Sequence, residues 1–382
     1  MASTDRFPGL RFAKTLAAIL SLISISCAST GGNHPDDTDA FGITDTVVAG
    51  DTGDSTETAD ATSTTETADP GLVVDAGYQF DTPDMGEISD APDTGDTVDT
   101  PDAGDTADAP PPTRSCNGMP ELCDRPLDQI AFVTTHNAMA NQDDSFLVPN
   151  QYSSVTRQLQ AGVRAFMLDT WYDNTQDPPP SDDVYLCHGV CVFGMRLLSG
   201  TLADIRAFLL DNPDDFVVII FESYVSAAHT LASFDQAGVT EMLLNPLPGQ
   251  PLPTLAQAID GGKRMLVLTD SGGGGFPGYL SVWDWAFETH WSNKVPDDLS
   301  CATNRGSDEN PFFILNHFLT DPTALPELAA QINENPFFMD RAMACWKERD
   351  HIPNFVTIDF FEIGDVLDVV SQLNLAVAPI RR

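Results

Sequence analysis

The sequence is short of positive charge. Its 382 residues contain 18 Lys or Arg against 57 Asp or Glu, which gives a formal net charge of −39 at pH 7. No Lys or Arg occurs between Lys14 and Arg114, and no basic patch occurs elsewhere in the chain. Because nucleic-acid phosphates are bound by clustered Lys and Arg, this composition excludes nucleic acid as a partner.

Much of the negative charge lies in a segment that is poor in large apolar residues. The stretch from Asp36 to Asp108 contains 21 Asp or Glu among Thr, Ala, Gly, Ser and Pro. Such a composition does not bury enough apolar surface to offset the entropy of ordering the chain. Residues 28–113 are therefore predicted to form a disordered, self-repelling linker. Calcium collection by the acidic run is the alternative, although lone carboxylates on a flexible chain make a poor cage.

The sequence also lacks an apolar run long enough to span a bilayer. The N-terminal run TLAAILSLISIS follows Arg6, Arg11 and Lys14 and ends shortly before Cys27, an arrangement typical of an export signal. Because the run ends in Ser-Cys, it resembles a bacterial lipoprotein signal in which Cys27 becomes lipidated. Residues 1–27 are therefore predicted to be a signal segment that takes the protein to the bacterial cell envelope or surface. Plain secretory cleavage is the alternative.

No C-x-x-C motif occurs among the seven cysteines, and their spacings fit no usual zinc site, which is the competing interpretation. Setting Cys27 aside leaves six cysteines, an even number that suits an oxidising compartment. Six cysteines allow fifteen connectivities, of which pairing between neighbours in the chain is the simplest. The predicted disulfides are Cys116–Cys123, Cys187–Cys191 and Cys301–Cys345.

Residues 114–382 alternate short apolar runs with helical patterns. Continuous runs of Val, Ile, Leu and Phe are typical of parallel strands that are buried on both faces. Eight such runs in about 250 residues predict an α/β fold, a closed (β/α)₈ barrel of the TIM type, with no second domain. The predicted strands are AFVTTHN, AFMLDTW, VYLCH, FVVIIFES, RMLVLTD, WAFETHW, FFILNHF and FVTIDFF. The stretch SGGGGFPG lacks the lysine of a phosphate-binding loop and is predicted to be a flexible rim.

Polar side chains stand where four of these strands end. They are His136 with Asn137, Asp169, His188 and Glu222. The carboxyl ends of barrel strands meet around one mouth, where such barrels carry their active sites. We therefore expect two imidazoles and three oxygen donors to share one pocket.

The motifs around these residues resemble those of a known enzyme family. THNAMANQ, NQYSSVTRQLQAGVRAFMLDTW, VYLCHG and FVVIIFES are similar to the X region of phosphatidylinositol-specific phospholipase C, above all to its secreted, single-domain type. The ordered set of T-H-N, R-x-x-x-L-D and C-H-G carries the resemblance, which extends over most of residues 114–382. It implies a phosphodiesterase that acts on a phospholipid or another inositol phosphodiester.

The resemblance makes His136 the first catalytic histidine and His188 the second. Cleavage by an internal hydroxyl needs a base on the attacking oxygen and an acid on the leaving oxygen, and two imidazoles supply both. We assign His136 as general base and His188 as general acid. Asp359, in FVTIDFF, would orient His136, because strand eight neighbours strand one in a closed barrel. The alternatives are ordinary structural hydrogen bonds for the histidines and a backbone cap for Asp359.

The added negative charge of the transition state must also be stabilised. In the family this is done either by an arginine or by calcium. The resemblance matches Asn137, Asp169 and Glu222 to three of the four calcium ligands of the eukaryotic type, and Met167 stands where the fourth, a Glu, is usual. Oxygen ligands suit a hard cation, so the expected cofactor is a divalent cation, with Ca²⁺ favoured. Asp173 is a candidate substitute for the missing carboxylate.

Two other classes of function stay open. A glycerophosphodiester phosphodiesterase or a sphingomyelinase-D-like enzyme has a similar barrel but normally shows Glu-x-Asp on strand two, where this chain has Met167-Leu168-Asp169. A non-catalytic surface module that binds sugars or headgroups is the other class. The polar residues at the strand ends argue against such a module. We expect a monomer that is attached to a membrane through lipidated Cys27.

Overall fold

The computed structural model describes residues 114–376. The predicted signal segment, the acidic linker and Cys27 lie outside the described residues. The strands are β1 (Phe132–Thr135), β2 (Ala165–Trp171), β3 (Tyr185–Leu186), β4 (Arg196–Leu197), β5 (Val217–Ser223), β6 (Met265–Thr269), β7 (Tyr279–Ser281), β8 (Ala286–Thr289), β9 (Thr303–Gly306), β10 (Phe312–Asn316) and β11 (Phe355–Ile358). The α-helices are α1 (Val155–Ala161), α2 (Leu198–Asp211), α3 (Ala227–Ala237), α4 (Leu255–Asp260), α5 (Val282–Trp285), α6 (Pro326–Ile332), α7 (Phe337–Arg349) and α8 (Val366–Leu375).

Eight of the strands form one parallel sheet in the order β7-β6-β5-β2-β1-β11-β10-β8. Alternate residues of these strands pack into two apolar layers. In β5, Val217 and Ile219 pack with Leu202 of α2 in the outer layer. Val218 and Ile220, which face the other way, belong to the inner layer. The predicted barrel of parallel strands with helices outside is therefore confirmed.

The barrel has an open seam, however, which corrects the expected full closure. In the described part of the chain no backbone pairing joins β7 to β8, and the free edge of β8 is paired instead with the antiparallel strand β9. Only the single turn of α5 connects β7 with β8. Parallel neighbours need a crossover of a dozen or more residues. The short connection therefore explains why the two strands do not pair.

Seven of the eight predicted barrel strands are correct. The stretch VYLCH is not a barrel strand, because β3 pairs antiparallel with the end of β2 and with β4. No helix separates β2 from β3, so the chain has no crossover to bring it back parallel. The missing barrel strand is β7, which directly follows the glycine-rich stretch that was predicted to be a rim. Helices α3, α5 and α7 were not predicted either.

All three predicted disulfides are present, as Cys116–Cys123, Cys187–Cys191 and Cys301–Cys345. The first packs into the inner apolar layer, and the last joins the segment before β9 to helix α7. Disulfides of this kind persist in oxidising compartments. None of the helices in residues 114–376 combines the length and apolar character that a membrane crossing requires.

Gly306 in β9 lies close to β8. Its φ is +79°, and an added Cβ would lie 2.2 Å from the carbonyl oxygen of Ala286 and 2.7 Å from Cα of Phe287. We expect Gly306→Ala to push β9 off the edge of β8 and to lower the free energy of unfolding by about 3 kcal/mol, measured by chemical denaturation.

Gly274→Ala is the matched control for this change. Gly274 has a φ of +80° but no atom within 4 Å of an added Cβ. It should carry only the conformational cost of a left-handed L-residue, about 1 kcal/mol. Equal losses in the two variants would contradict the close contact as the cause.

Candidate active site

The alternation of side chains along the strands brings polar groups to the barrel mouth. Ile220 of β5 faces the barrel interior, so Glu222, two residues later, continues the same inward row into the mouth. Steps of two residues also lead toward the mouth from four other residues of the inner layer, Phe132, Ala165, Leu268 and Phe355. These rows end at His136, Asp169, Asp270 and Asp359. Apolar rows inside the barrel therefore end in the polar groups of one mouth.

His136 and Asp359 are neighbours, as predicted. Thr135 pairs with Ile358 in the parallel β1–β11 ladder, so the next residue of each strand lies side by side. Nδ1 of His136 lies 3.0 Å from Oδ1 of Asp359, whose side chain is buried. The carboxylate holds the imidazole proton on Nδ1 and leaves Nε2 free to accept a proton. The ring of Phe318 stacks on the imidazole at 3.9 Å between centroids and fixes its plane.

Two amide side chains that were not singled out from the sequence support this pair. Nδ2 of Asn150 donates to Oδ1 of Asp359 at 2.9 Å and lies 3.5 Å from Nδ1 of His136. Nε2 of Gln151 donates to the carbonyl oxygens of His136 and Ile358, which ties together the ends of β1 and β11. Both residues are buried. They lie in the quoted stretch NQYSSV, where nothing in a single sequence distinguishes them from surface amides.

His188 does not end a barrel strand, which corrects its expected location. It lies in the loop after β3 that the Cys187–Cys191 disulfide closes. It nevertheless reaches the same mouth, because Nδ2 of Asn137 lies 3.2 Å from Nε2 of His136 and 3.2 Å from Nε2 of His188. One amide thus lies between the two imidazoles. Asn137 does so from a left-handed backbone with φ 45°, which Asn adopts more readily than most residues.

The environment of His188 disfavours its protonated form. Burial lowers the pKa of His188 to about 4, the charge of His136 acts in the same direction, and Asp359 acts against it. The imidazole of His188 is therefore neutral near pH 7 in the free protein. A bound anion beside it would favour the imidazolium.

A group of carboxylates lies across the mouth from the histidines. Asp169 and Glu222 are register partners in β2 and β5, and the β5–β6 ladder brings Asp270 next to Glu222. Tyr224 donates to Oε1 of Glu222, and the backbone N–H of Ser223 donates to Oδ1 of Asp270 at 2.8 Å. Asp270 was missed in the sequence, although it ends the predicted strand RMLVLTD as the other candidates end theirs.

Asp169 is the most constrained of these carboxylates. Its side chain is 7% exposed, and in residues 114–376 its carboxylate accepts no hydrogen bond. Burial, followed by the charges of Glu222 and Asp270, raises the pKa of Asp169 well above its usual value. Burial likewise raises the pKa of Asp270 to about 6. A buried carboxylate with two like charges beside it, as Asp169 has, fits a hard divalent cation.

The three predicted metal ligands are near one another but do not form a preformed cage. No group of three or more His, Cys, Asp and Glu side chains within the described residues is arranged to hold a metal ion. Asn137 turns its Nδ2 toward the histidines, which leaves its Oδ1 for another partner. Oδ1 of Asp173, the candidate substitute for the carboxylate missing at Met167, accepts from both the backbone N–H and the hydroxyl of Thr175.

The wall opposite β5 and β6 contains a cation that is already paired. Nε of Arg305 donates to Glu288 at 2.5 Å, and the guanidinium lies over the ring of Trp283 at 4.4 Å from its centroid. Nδ2 of Asn316 donates to the other oxygen of Glu288 at 3.0 Å. The guanidinium of Arg305 is therefore already paired with Glu288, and it is not a free arginine that could bind a phosphate.

The PI-PLC X family model (PI-PLC X 1) matches residues 122–374. A PI-PLC X domain-containing protein of Arabidopsis thaliana is 27% identical over 293 aligned residues, covering 69% of this chain and 64% of that protein. An uncharacterized secreted protein of Arthroderma benhamiae is 27% identical over 287 aligned residues, covering 68% and 63%. The chain thus spans slightly less than two thirds of these relatives. A variant of the phosphatidylinositol-specific phospholipase C from Staphylococcus aureus aligns at 12% identity with a TM-score of 0.49, covering 68% of this chain and 95% of that one.

The raised pKa of Asp270 gives a pH-dependent prediction for stability. A carboxylate whose folded pKa lies above its unfolded value favours the protonated native state, so its contribution to stability is lost as the pH rises through about 6. Asp270→Asn keeps the acceptor for Ser223 N–H and removes the charge. In chelator, we expect it to raise the melting temperature more at pH 8 than at pH 5. An equal shift at both pH values would contradict the raised pKa of Asp270.

Proposed function

Because the chain belongs to the PI-PLC X family, we propose that it is an exported phosphodiesterase that cleaves a phospholipid or another inositol phosphodiester. One observation carries the proposal. The Nε2 atoms of His136 and His188 both face the amide of Asn137, and Asp359 holds the other nitrogen of His136. Two imidazoles facing one point suit a base and an acid that act on the same phosphorus.

In the proposed reaction His136 is the general base. Its Nε2 accepts the proton of the attacking hydroxyl while the new P–O bond forms. The imidazolium that results is stabilised by buried Asp359, which does not itself take the proton. Asn150 donates to the same oxygen of Asp359 and keeps the carboxylate in place for this step.

His188 is the general acid. The negative charge of a phosphodiester next to Nε2 offsets the burial that lowers the pKa of His188, so the ring becomes protonated when substrate is bound. It donates that proton to the leaving oxygen as the old P–O bond breaks. One proton is thus taken by His136 and one is given by His188. The amide of Asn137 must leave the two nitrogens as substrate enters, and it is then free to donate to a phosphate oxygen.

We further propose that a divalent cation, Ca²⁺, binds at Asp169 and Glu222 with Oδ1 of Asn137. The buried carboxylate of Asp169, which lacks a hydrogen-bond partner in the described residues, supports this site. When bound, such a cation stabilises the negative charge that builds up on the phosphate oxygens. Glu222 is exposed at the mouth, so it remains accessible to the ion.

Apolar side chains beside the mouth support a lipid as substrate. Leu147 is 71% exposed and Val192 64%, and the bond from Leu147 N–H to the carbonyl oxygen of Phe193 holds their two loops together. Val190 and Met195, in the same segment as Val192, are exposed as well. Contiguous exposed apolar side chains mark contacts with membranes or other proteins. The three disulfides and the secreted relative support export, and the predicted lipid on Cys27 would keep the enzyme at a membrane.

We expect His136→Ala and His188→Ala each to lower turnover of phosphatidylinositol in mixed micelles by about 10³-fold, because each removes one proton transfer. The melting temperature should change little, since the contacts of both rings at the mouth include polar side chains and Asn150 still binds Asp359 when His136 is removed. His229→Ala on helix α3 is the control and should leave turnover unchanged. Unfolding of both active-site variants would identify the histidines as structural instead.

Calcium should also raise the melting temperature of the protein, because an ion that binds only the native state stabilises it by mass action. Glu222→Gln should need more calcium for the same shift and for the same turnover. Glu327→Gln replaces an exposed carboxylate on α6 and is the control. It should need the same calcium concentration as the unmodified protein. Turnover and melting that are identical in calcium and in chelator would disprove the cation site and leave the histidine mechanism standing.

A further inference from the structure

His188 lies inside a very short covalent loop. The Cys187–Cys191 disulfide closes the loop over a sequence separation of 4. Within it, the N–H of Val190 donates to the carbonyl oxygen of His188 at 2.8 Å, a three-residue turn with Gly189 at its centre. Gly189 has a φ of +70°, which glycine adopts without steric cost. The crosslink and the turn leave the backbone of His188 few alternative conformations.

The loop is also fixed to the end of β2. The N–H of Cys187 donates to the carbonyl oxygen of Asp169 at 3.2 Å. Beyond β2, the amide of Asn174 spans the loop: Nδ2 donates to the carbonyl oxygen of Gly189 at 2.9 Å. Its Oδ1 accepts from the N–H of Cys191, also at 2.9 Å. Both hydrogen-bonding functions of one side chain are thus used on two residues of the loop, Gly189 and Cys191.

We propose that the Cys187–Cys191 disulfide and Asn174 act together as a clasp that positions His188 for proton donation, an inference that rests on the proposed function. His188 needs such a device because it is not carried by a barrel strand. Its ring is held by Asn137, whereas its backbone is held by the clasp. The clasp residues are positioning residues, since they contact the loop of the acid and not the two imidazole nitrogens.

A general stabilising role explains this disulfide less well. In the chain-entropy account, a disulfide stabilises a protein more when it closes a longer loop. The Cys301–Cys345 bridge closes a separation of 44, whereas Cys187–Cys191 closes only 4. The short bridge therefore contributes the least to the stability of the whole fold. Its most direct effect is on the backbone of one residue, His188. It follows that activity depends on an oxidising compartment through the geometry of the acid.

The test uses the full chain and two substrates that differ in their leaving group. Phosphatidylinositol releases an alcohol, which needs a proton from the acid, whereas nitrophenyl inositol phosphate releases a stable phenolate, which does not. For Cys187→Ser/Cys191→Ser and for Asn174→Ala, we expect kcat on phosphatidylinositol to fall by about 100-fold with KM nearly unchanged. On the nitrophenyl substrate both variants should stay within about threefold of the unmodified protein, because the acid is dispensable there.

Cys116→Ser/Cys123→Ser is the matched control, because it opens another short disulfide, with a separation of 7, that does not enclose His188. It should leave the ratio of the two activities unchanged. Asn174→Ala keeps all three disulfides, so it tests the clasp even if the double serine variant does not fold. Equal losses on both substrates, or full activity of both clasp variants on phosphatidylinositol, would overturn the clasp.

Failure of the proposed function gives a different result. If the unmodified protein turns over neither substrate, the phosphodiesterase proposal fails. The clasp is then tested separately, by measuring amide hydrogen exchange in the loop. The amides of Val190 and Cys191 donate to His188 and Asn174, and they should exchange faster in Asn174→Ala than in the unmodified protein. Unchanged exchange there would overturn the clasp independently of any activity.

Discussion

The parallel sheet that is buried on both faces is the constraint on which the rest of this molecule depends. Each strand must supply apolar side chains to an inner and an outer layer, and the inner rows reach water only where the strands end. Ionisable groups on those rows are therefore confined to the two ends of the barrel. His136, Asp169 and Asp359 are brought together by this confinement, although they lie far apart in the sequence.

Uncharged amides do most of the positioning within the site. Asn137 lies between the two imidazoles, Asn150 is bound to Asp359, and Asn174 is bound to the loop of His188. An amide donates and accepts in fixed directions without adding a charge, so it orients an imidazole with less effect on its protonation than a carboxylate has. The carboxylate that contacts an imidazole of the described site, Asp359, is bound to Nδ1 of His136, the nitrogen that does not face Asn137. Different residues thus orient the imidazoles and influence their protonation.

The sequence predicts those parts of the site that follow from strand periodicity. An apolar run leads to each of His136, Asp169, Glu222 and Asp359. The register of the parallel strands then places these residues side by side. Periodicity fails for VYLCH, because a two-residue antiparallel ribbon and a barrel strand look alike over so few residues. It fails for β7 as well, because the strand is only three residues long and follows a glycine-rich loop. No sequence periodicity marks Asn150 or Asn174, because their roles come from contacts across loops.

The two sides of the mouth place opposite demands on charge. The proposed phosphodiester substrate is an anion, and it would have to approach Nε2 of His136 and His188 in a site that also contains Asp169, Glu222 and Asp270. In residues 114–376 the guanidinium that faces these carboxylates, Arg305, is committed to Glu288. Without further positive charge, the carboxylates would repel the substrate and each other, and this repulsion adds to the burial that raises the pKa of Asp169. Asp169 and Glu222, if they held the proposed divalent cation, would present positive charge to the phosphate and lose their mutual repulsion, so the binding of cation and substrate should be mutually dependent.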